Sequence, residues 1–236
     1  MPETERDSRV IAEANGTGAD LPKDGPCAYV VDDIELNREM LVGLLTTEGL
    51  QARSYASARQ FLEGFVPDRP GCILLDFRMP GMNGLELQAE LNQRGVVLPV
   101  VMITAHADVP IAIQAMREGA YEFIEKPVDN QHLLGVVRRA FEVSAERLQE
   151  RAERDSVRAR YDTLSARELQ VLDAMIAGRL NKQIAFDLGI SQRTVEVHRA
   201  NVMEKMQARS LAELVRMTIR LGEVVGGGGG GEDRPA

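Results

Sequence analysis

What most restricts this chain is a fivefold alternation of short apolar runs with helix-like segments between residues 27 and 143. The runs fall at 27–31, 51–55, 72–75, 100–104 and 122–125. Helical patterns lie between them at 34–48, 57–65, 84–93 and 108–118, with another from 129 onward. Most of the runs are apolar at nearly every position, so they need cover on both faces, which a parallel sheet between helix layers provides. A doubly wound α/β domain follows. Local signals agree: Ser57 and Gln60 are spaced as a capping box, and Asp108 can cap the helix that tolerates Pro110 in its first turn.

After residue 164 the pattern becomes helix only. Ser165 and Glu168 form a second capping box, Gly178 ends that helix, and a short helix over 181–188 meets a turn at Gly189. Ser191 caps a longer helix to Met206, and Ser210 opens a last one over 211–221. The pair on either side of Gly189 is a helix-turn-helix candidate, a geometry that also occurs in domains that never touch DNA. The predicted layout is an arm over 1–26, an α/β domain over 27–143 and a helical linker over 144–161. An all-α domain over 162–222 and a flexible Gly-rich tail over 223–236 complete it. For the charged, Pro- and Gly-free segment 146–160 two readings stand, a linker that pairs with a second copy and a solvated helix end.

Composition narrows the functional classes. An apolar content of 44% supports ordinary cores, and the longest apolar stretch, 96–105, is broken by Pro99 and falls short of the ~20 residues of a membrane span. With no apolar signal block in 1–26 and two cysteines, a cytoplasmic protein without membrane attachment is expected. The net charge of −8 hides an asymmetry: residues 161–222 hold nine Lys/Arg against seven Asp/Glu. That small excess is compatible with nucleic acid binding there and decides little alone.

Ligands in open α/β sheets bind at the carboxyl ends of the strands. Asp32 and Asp33, Asp76, Thr104 and Lys126 occupy those ends. Three converging carboxylates call for a hard cation, and oxygen ligands with room for water suit Mg²⁺. In this reading Asp33 and Asp76 bind directly, Asp32 acts through water, and the Arg78 backbone carbonyl adds an oxygen. Thr104 and Lys126 then suit a phosphoryl group carried by Asp76 as nucleophile. Each residue alone has an ordinary explanation: a solvated turn, a β-branched strand end, a chance Lys-Pro. Placement at successive strand ends favours the joint one.

The segments YVVDD (29–33), LLDFRMPGMNG (74–84) and VMITAHADVPIAIQAMREGAYEFIEKP (101–127) resemble the receiver domain of two-component response regulators. The resemblance implies strand order 2-1-3-4-5, phosphorylation of Asp76 by a sensor histidine kinase, a cis peptide before Pro127 and a switch aromatic at Phe123. Without it Phe123 reads as a core residue. Many relatives carry a third acid where this chain has Ile34, which bears on metal affinity or dephosphorylation rate. Cys27 and Cys72 begin strands that are neighbours in that order, close enough for a redox pair or simply two core thiols.

Along the helix from Ser191, residues Arg193, Glu196, Val197 and Ala200 share a face with little bulk, suited to the major groove, while Val195, Val202 and Met206 face a core. Segment 164–215 resembles the LuxR-type DNA-binding domain of the NarL/FixJ family. By resemblance, Arg193, Glu196, Val197 and Ala200 approach base edges, and Asn181, Lys182, Ser191, Thr194, His198, Arg199 and Lys205 hold the phosphate backbone. His198 also reads as a plain helix-surface residue, and the last helix resembles the family's dimer-forming element. The expected whole is a non-enzymatic regulator of promoter double-stranded DNA, a homodimer when phosphorylated, with RNA polymerase as a further partner. One rival is a DNA-binding protein whose receiver is only a dimerisation platform. A haloacid-dehalogenase-like hydrolase is disfavoured because Arg78 stands where its second Asp belongs. A flavodoxin-like cofactor binder is disfavoured because Asp32-Asp33 would repel phosphate without a metal.

Overall fold

The structure, a computed structural model, describes residues 25–66, 69–105 and 109–222. Most of the expected arm, Asp108 as a cap and the Gly-rich tail lie outside the described residues. The chain divides into two compact units between Gln149 and Glu150.

In the first unit, strands β1 (Cys27–Val31), β2 (Gln51–Tyr55), β3 (Gly71–Asp76), β4 (Val100–Thr104) and β5 (Glu122–Glu125) pair in parallel in the order β2-β1-β3-β4-β5. The helices are α1 (Glu35–Thr47), α2 (Ala58–Gly64), α3 (Gly84–Gln93), α4 (Val109–Arg117) and α5 (Asn130–Tyr161). Strand alternation divides the buried side chains between two cores. Tyr29, Val31, Ile73, Leu75 and Met102 pack with Phe61 of α2 and Leu87 and Leu91 of α3. Val30, Leu74, Val101 and Ile103 pack with Leu45 of α1 and Leu133, Leu134, Val137 and Phe141 of α5. A central strand such as β1 is therefore apolar throughout because each face meets helices.

Three local expectations change. Strand β3 runs one residue further at each end than the apolar run, so Asp76 closes the strand rather than following it. Its first residue, Gly71, passes so near the Cys27 carbonyl that any side chain would collide, and its amide donates to the buried Ser144 hydroxyl at 3.0 Å. At α2 only half of the capping box forms: Ser57 accepts from the Gln60 amide, but the Gln60 side chain takes the Ala56 amide instead of that of Ser57. Cys27 and Cys72 belong to opposite cores, so their neighbouring strands point the thiols away from each other. Burial, with a smaller contribution from Cys27, pushes the Cys72 thiol far up, which suits an inert core residue.

The second unit is helical: the end of α5, then α6 (Ala166–Ile176), α7 (Asn181–Leu188), α8 (Gln192–Met206) and α9 (Leu211–Arg220). Val171, Leu172, Met175, Ile184, Val195, Val202, Met206 and Leu214 form its core, joined by Val157 of α5. The Ser165–Glu168 capping box is complete, Gly189 is left-handed with φ +64°, and Ser191 accepts from the Thr194 amide at the start of α8. Segment 144–161 is helical throughout, with Ser144 and Val157 buried and most of the residues between them exposed.

Candidate functional site

Because β3 neighbours β1 while β2 lies on the other side of β1, the connections leaving β1 and β3 diverge and open a crevice at their carboxyl ends. Asp32 and Asp76 stand at that crevice. Lys126, reached after β5 and followed by a cis peptide to Pro127, extends its ammonium between them, 2.9 Å from Asp32 Oδ2 and 2.6 Å from Asp76 Oδ1. The other Asp76 oxygen accepts the Arg78 amide at 2.7 Å. The loop that brings Arg78 round passes Gly81 at φ +81° and returns at Gly84, where a side chain would press on the Asp76 carbonyl. The Asn83–Glu86 capping box then starts α3, a signal not drawn from the sequence.

The electrostatics are those of a half-closed pocket. Burial raises the Asp76 carboxyl above its ordinary range, outweighing the hydrogen bond and charge of Lys126 that act to lower it. Burial also acts to depress Lys126, yet the hydrogen bonds and charges of Asp76 and Asp32 prevail and hold the ammonium above its ordinary value. Thr104 is buried at the end of β4, and its carbonyl accepts the Lys126 amide at 2.7 Å. Phe123 is partly buried against the core on the α2–α3 face of the sheet.

Asp33 lies apart from this pair: it is exposed, and among the described residues no three acidic, histidine or cysteine groups converge. The convergence is of two carboxylates, Asp32 and Asp76, on one ammonium. The reason is local. The carbonyls of Asp32 and Asp33 both accept the Arg38 guanidinium, at 2.8 and 3.0 Å, which braces the loop with Asp32 inward and Asp33 outward. At Arg78, the amide rather than the carbonyl is the group bonded to Asp76. Two carboxylates already satisfying a cation at hydrogen-bond distance are the oxygen donor chemistry that suits Mg²⁺.

In the helical unit, Arg193, Glu196, Val197 and Ala200 are all exposed on α8, opposite the buried Val195, Val202 and Met206. Arg193 and Glu196 approach at 3.7 Å, an exposed contact that other partners can readily replace. Lys182 is exposed, and Asn181 and Arg199 are half-buried. Ser191 and Thr194 bond to each other at 2.8 Å as part of the α8 cap. His198 is half-buried, and its Nδ1 is buried without a hydrogen-bond partner. Lys205 has a different engagement from the expected one: its ammonium lies 2.7 Å from the buried Glu168 carboxylate and 3.3 Å from the Thr163 carbonyl. Its position as the penultimate residue of α8 brings it to Glu168 in the first turn of α6.

Comparison with known proteins decides the family. Residues 28–138 match the response regulator receiver domain, and residues 162–218 match the bacterial regulatory proteins of the luxR family. Two transcriptional regulatory proteins FixJ, from Azorhizobium caulinodans and Rhizobium meliloti, are each 48% identical to this chain. The first covers 86% of this chain and 95% of its own length, the second 81% and 94%. The chain is a FixJ-like response regulator. Among solved structures, the response regulator StyR is 43% identical with a TM-score of 0.73 and covers 84% of this chain and 100% of its own. Full-length FixJ from B. japonicum is 39% identical with a TM-score of 0.50, covering 84% and 98%. A response regulator of this family is a transcription regulator with a receiver and a LuxR-type DNA-binding domain, and the two FixJ relatives are transcriptional regulatory proteins. Among the described residues no helix is long and apolar enough to cross a membrane.

Two residues of this response regulator's sites escaped the sequence reading. Asn37 donates to both oxygens of Asp32, at 3.2 and 3.0 Å, and nothing in an amphipathic α1 marks it out. Glu168 was recognised only as a cap. The spacing to Lys205, 37 residues on, gives no hint of contact.

Proposed function

We propose that this regulator stores a phosphoryl group on Asp76, received from a sensor histidine kinase, and binds promoter double-stranded DNA as a dimer in response. The single observation that carries the reading is the Lys126 ammonium shared by Asp32 and Asp76 at the crevice of the sheet. An Asp76 oxygen attacks the phosphorus, the bond to the donor breaks, and the donor keeps that electron pair. Lys126 is positioned to neutralise a phosphoryl oxygen, and Thr104 at the neighbouring strand end to donate its hydroxyl. Asp32 and Asp76, with Asp33 and the Arg78 carbonyl at the rim, would hold Mg²⁺, which when bound supplies Lewis-acid neutralisation of the transferred group. A cavity of about 410 Å³ beside the pocket, lined by Met40, Leu41, Leu44, Pro127 and Val128 with Lys126 at its edge, supports approach of the kinase from the α1 side. Ile34, Leu36 and Met40 are exposed apolar residues of the same surface.

Downstream, Thr104 shifts toward the phosphoryl group and Phe123 moves into the space released. This repacks the face of α4, β5 and α5 in favour of a dimer. Nearly complete switching needs the phosphoryl group to prefer the active form by about 5 kcal/mol. In the dimer, Arg193, Glu196, Val197 and Ala200 read base edges. Asn181, Lys182, Ser191, Thr194, His198 and Arg199 hold phosphates, and paired half-sites compensate for a modest basic charge. Lys205 is assigned to holding Glu168 rather than to phosphate. A promoter-bound dimer then recruits RNA polymerase, with activation as the outcome.

The test is incubation with Mg²⁺ and acetyl phosphate followed by intact mass measurement. A gain of one phosphoryl group in the wild type and none in Asp76→Asn is expected. A gain that persists in Asp76→Asn overturns the assignment.

A further inference from the structure

The two acids of the pocket are not equally available. Asp76 accepts one hydrogen bond on each oxygen, from Lys126 and from the Arg78 amide. Asp32, almost wholly buried, accepts four contacts on two oxygens: the Ile34 amide at 2.8 Å, Lys126 at 2.9 Å and the Asn37 amide nitrogen at 3.2 and 3.0 Å. A carboxylate offers about four lone-pair sites, and three donors, one of them spanning both oxygens, leave Asp32 little room for another partner. A cation, or a water bound to one, can use Asp32 only if one of these donors withdraws.

The donors differ in how freely they can do so. The Ile34 amide belongs to the backbone at the start of α1, where Ile34 stands at the cap position with no capping side chain of its own. Lys126 is shared with Asp76 and is needed for the transferred group. Asn37 is the exception. It is the third residue of α1, half-buried, and it also lines the cavity beside Met40, Leu41 and Lys126. Rotation of its side chain has a space to enter, and the amide it would remove carries the positive end of a dipole facing any arriving cation.

We propose that Asn37 is a positioning residue that competes with the divalent cation for Asp32, setting the metal affinity of this receiver below what its two acids would otherwise give. The inference rests on the reading that the pocket binds Mg²⁺. It assigns the chain a built-in brake: at low Mg²⁺ the Asn37 amide holds Asp32, and phosphorylation waits on its release.

Mg²⁺ binding to the full chain, followed by isothermal titration calorimetry, tests this. Asn37→Ala is expected to tighten Mg²⁺ about threefold to tenfold, the scale of one hydrogen bond to a charged group offset by the freed rotamer. Asn37→Asp, which removes the donor and adds a negative charge, is expected to tighten it at least as much. The acetyl phosphate labelling rate of Asn37→Ala should exceed that of the wild type at limiting Mg²⁺ and converge with it at saturation. A purely structural role would make both variants bind more weakly, and would not make the difference in rate depend on Mg²⁺. If the wild type binds Mg²⁺ and is labelled on Asp76 while Asn37→Ala binds equally or more weakly, Asn37 is no brake. A wild type that takes up no Mg²⁺ sinks the metal reading itself, and this inference with it.

Discussion

Each unit of the molecule contains a lysine ammonium on a buried carboxylate, and the two pairs have opposite consequences. In the receiver, Lys126 lies 2.6 Å from Asp76, yet the carboxyl is raised because burial prevails. In the helical unit, Lys205 lies 2.7 Å from Glu168, and the carboxyl falls to about 2. Burial and donors together explain the difference: burial is the largest influence on Asp76, whereas at Glu168 the hydrogen bonds from Lys205 and Ser165 outweigh it. One oxygen of Glu168 accepts Lys205, the Ser165 amide at 2.8 Å and the Ser165 hydroxyl at 2.9 Å. Asp76 has Lys126 divided with a second acid and one backbone amide. A carboxylate whose donors converge on it is locked into structure, whereas one held by a shared cation keeps lone pairs for chemistry.

The largest expected effect breaks the receiver pair. Lys126→Met should reduce acetyl phosphate labelling of Asp76 by at least about a hundredfold, the scale of removing one electrostatic stabiliser from a reacting site. Labelling kinetics by mass spectrometry check this. Lys205→Met should leave labelling unchanged and instead destabilise the helical unit by about 1–3 kcal/mol, the cost of a buried carboxylate deprived of a donor. Urea unfolding monitored by circular dichroism reads that loss, and a swap of the two phenotypes would refute the distinction.

The acid response sharpens it further. Glu168 is held below its ordinary value, so its contribution is full above about pH 4.5 and is lost as pH falls from there through about 2. Circular dichroism of Glu168→Gln over that range should show a flatter loss of the helical unit than the wild type. The smallest effect concerns the face of α8. Glu196→Ala should relax base preference by about 1–3 kcal/mol at one position with little change in nonspecific affinity, while Lys182→Ala weakens all sequences alike and lowers the salt slope. Promoter binding at several salt concentrations separates the two.

Much of this architecture is legible in the sequence. The apolar runs of β1, β3 and β4 predict strands because burial on both faces leaves no alternation to confuse them, and the caps at Ser165 and Ser191 depend on neighbours three residues away. What escaped depends on distance in the chain or on the direction of a side chain. The inward turn of Asp32 and outward turn of Asp33 follow from Arg38 bracing two carbonyls. Two cysteines on adjacent strands can face opposite cores, which adjacency alone does not reveal. The sequence offers Lys205 as a cation for DNA and gives no sign of its ion pair with Glu168, which lies 37 residues away.

In the proposed mechanism, an anion stored at Asp76 governs how tightly α8 engages DNA. Affinity for one promoter fragment, measured at fixed salt for the same preparation before and after treatment with acetyl phosphate and Mg²⁺, tests it most directly. Tighter binding after treatment, with a dimer on the fragment and no change in Asp76→Asn, is the expected result. Equal affinity in a fully phosphorylated wild type would contradict it and leave the receiver as a platform for dimerisation alone.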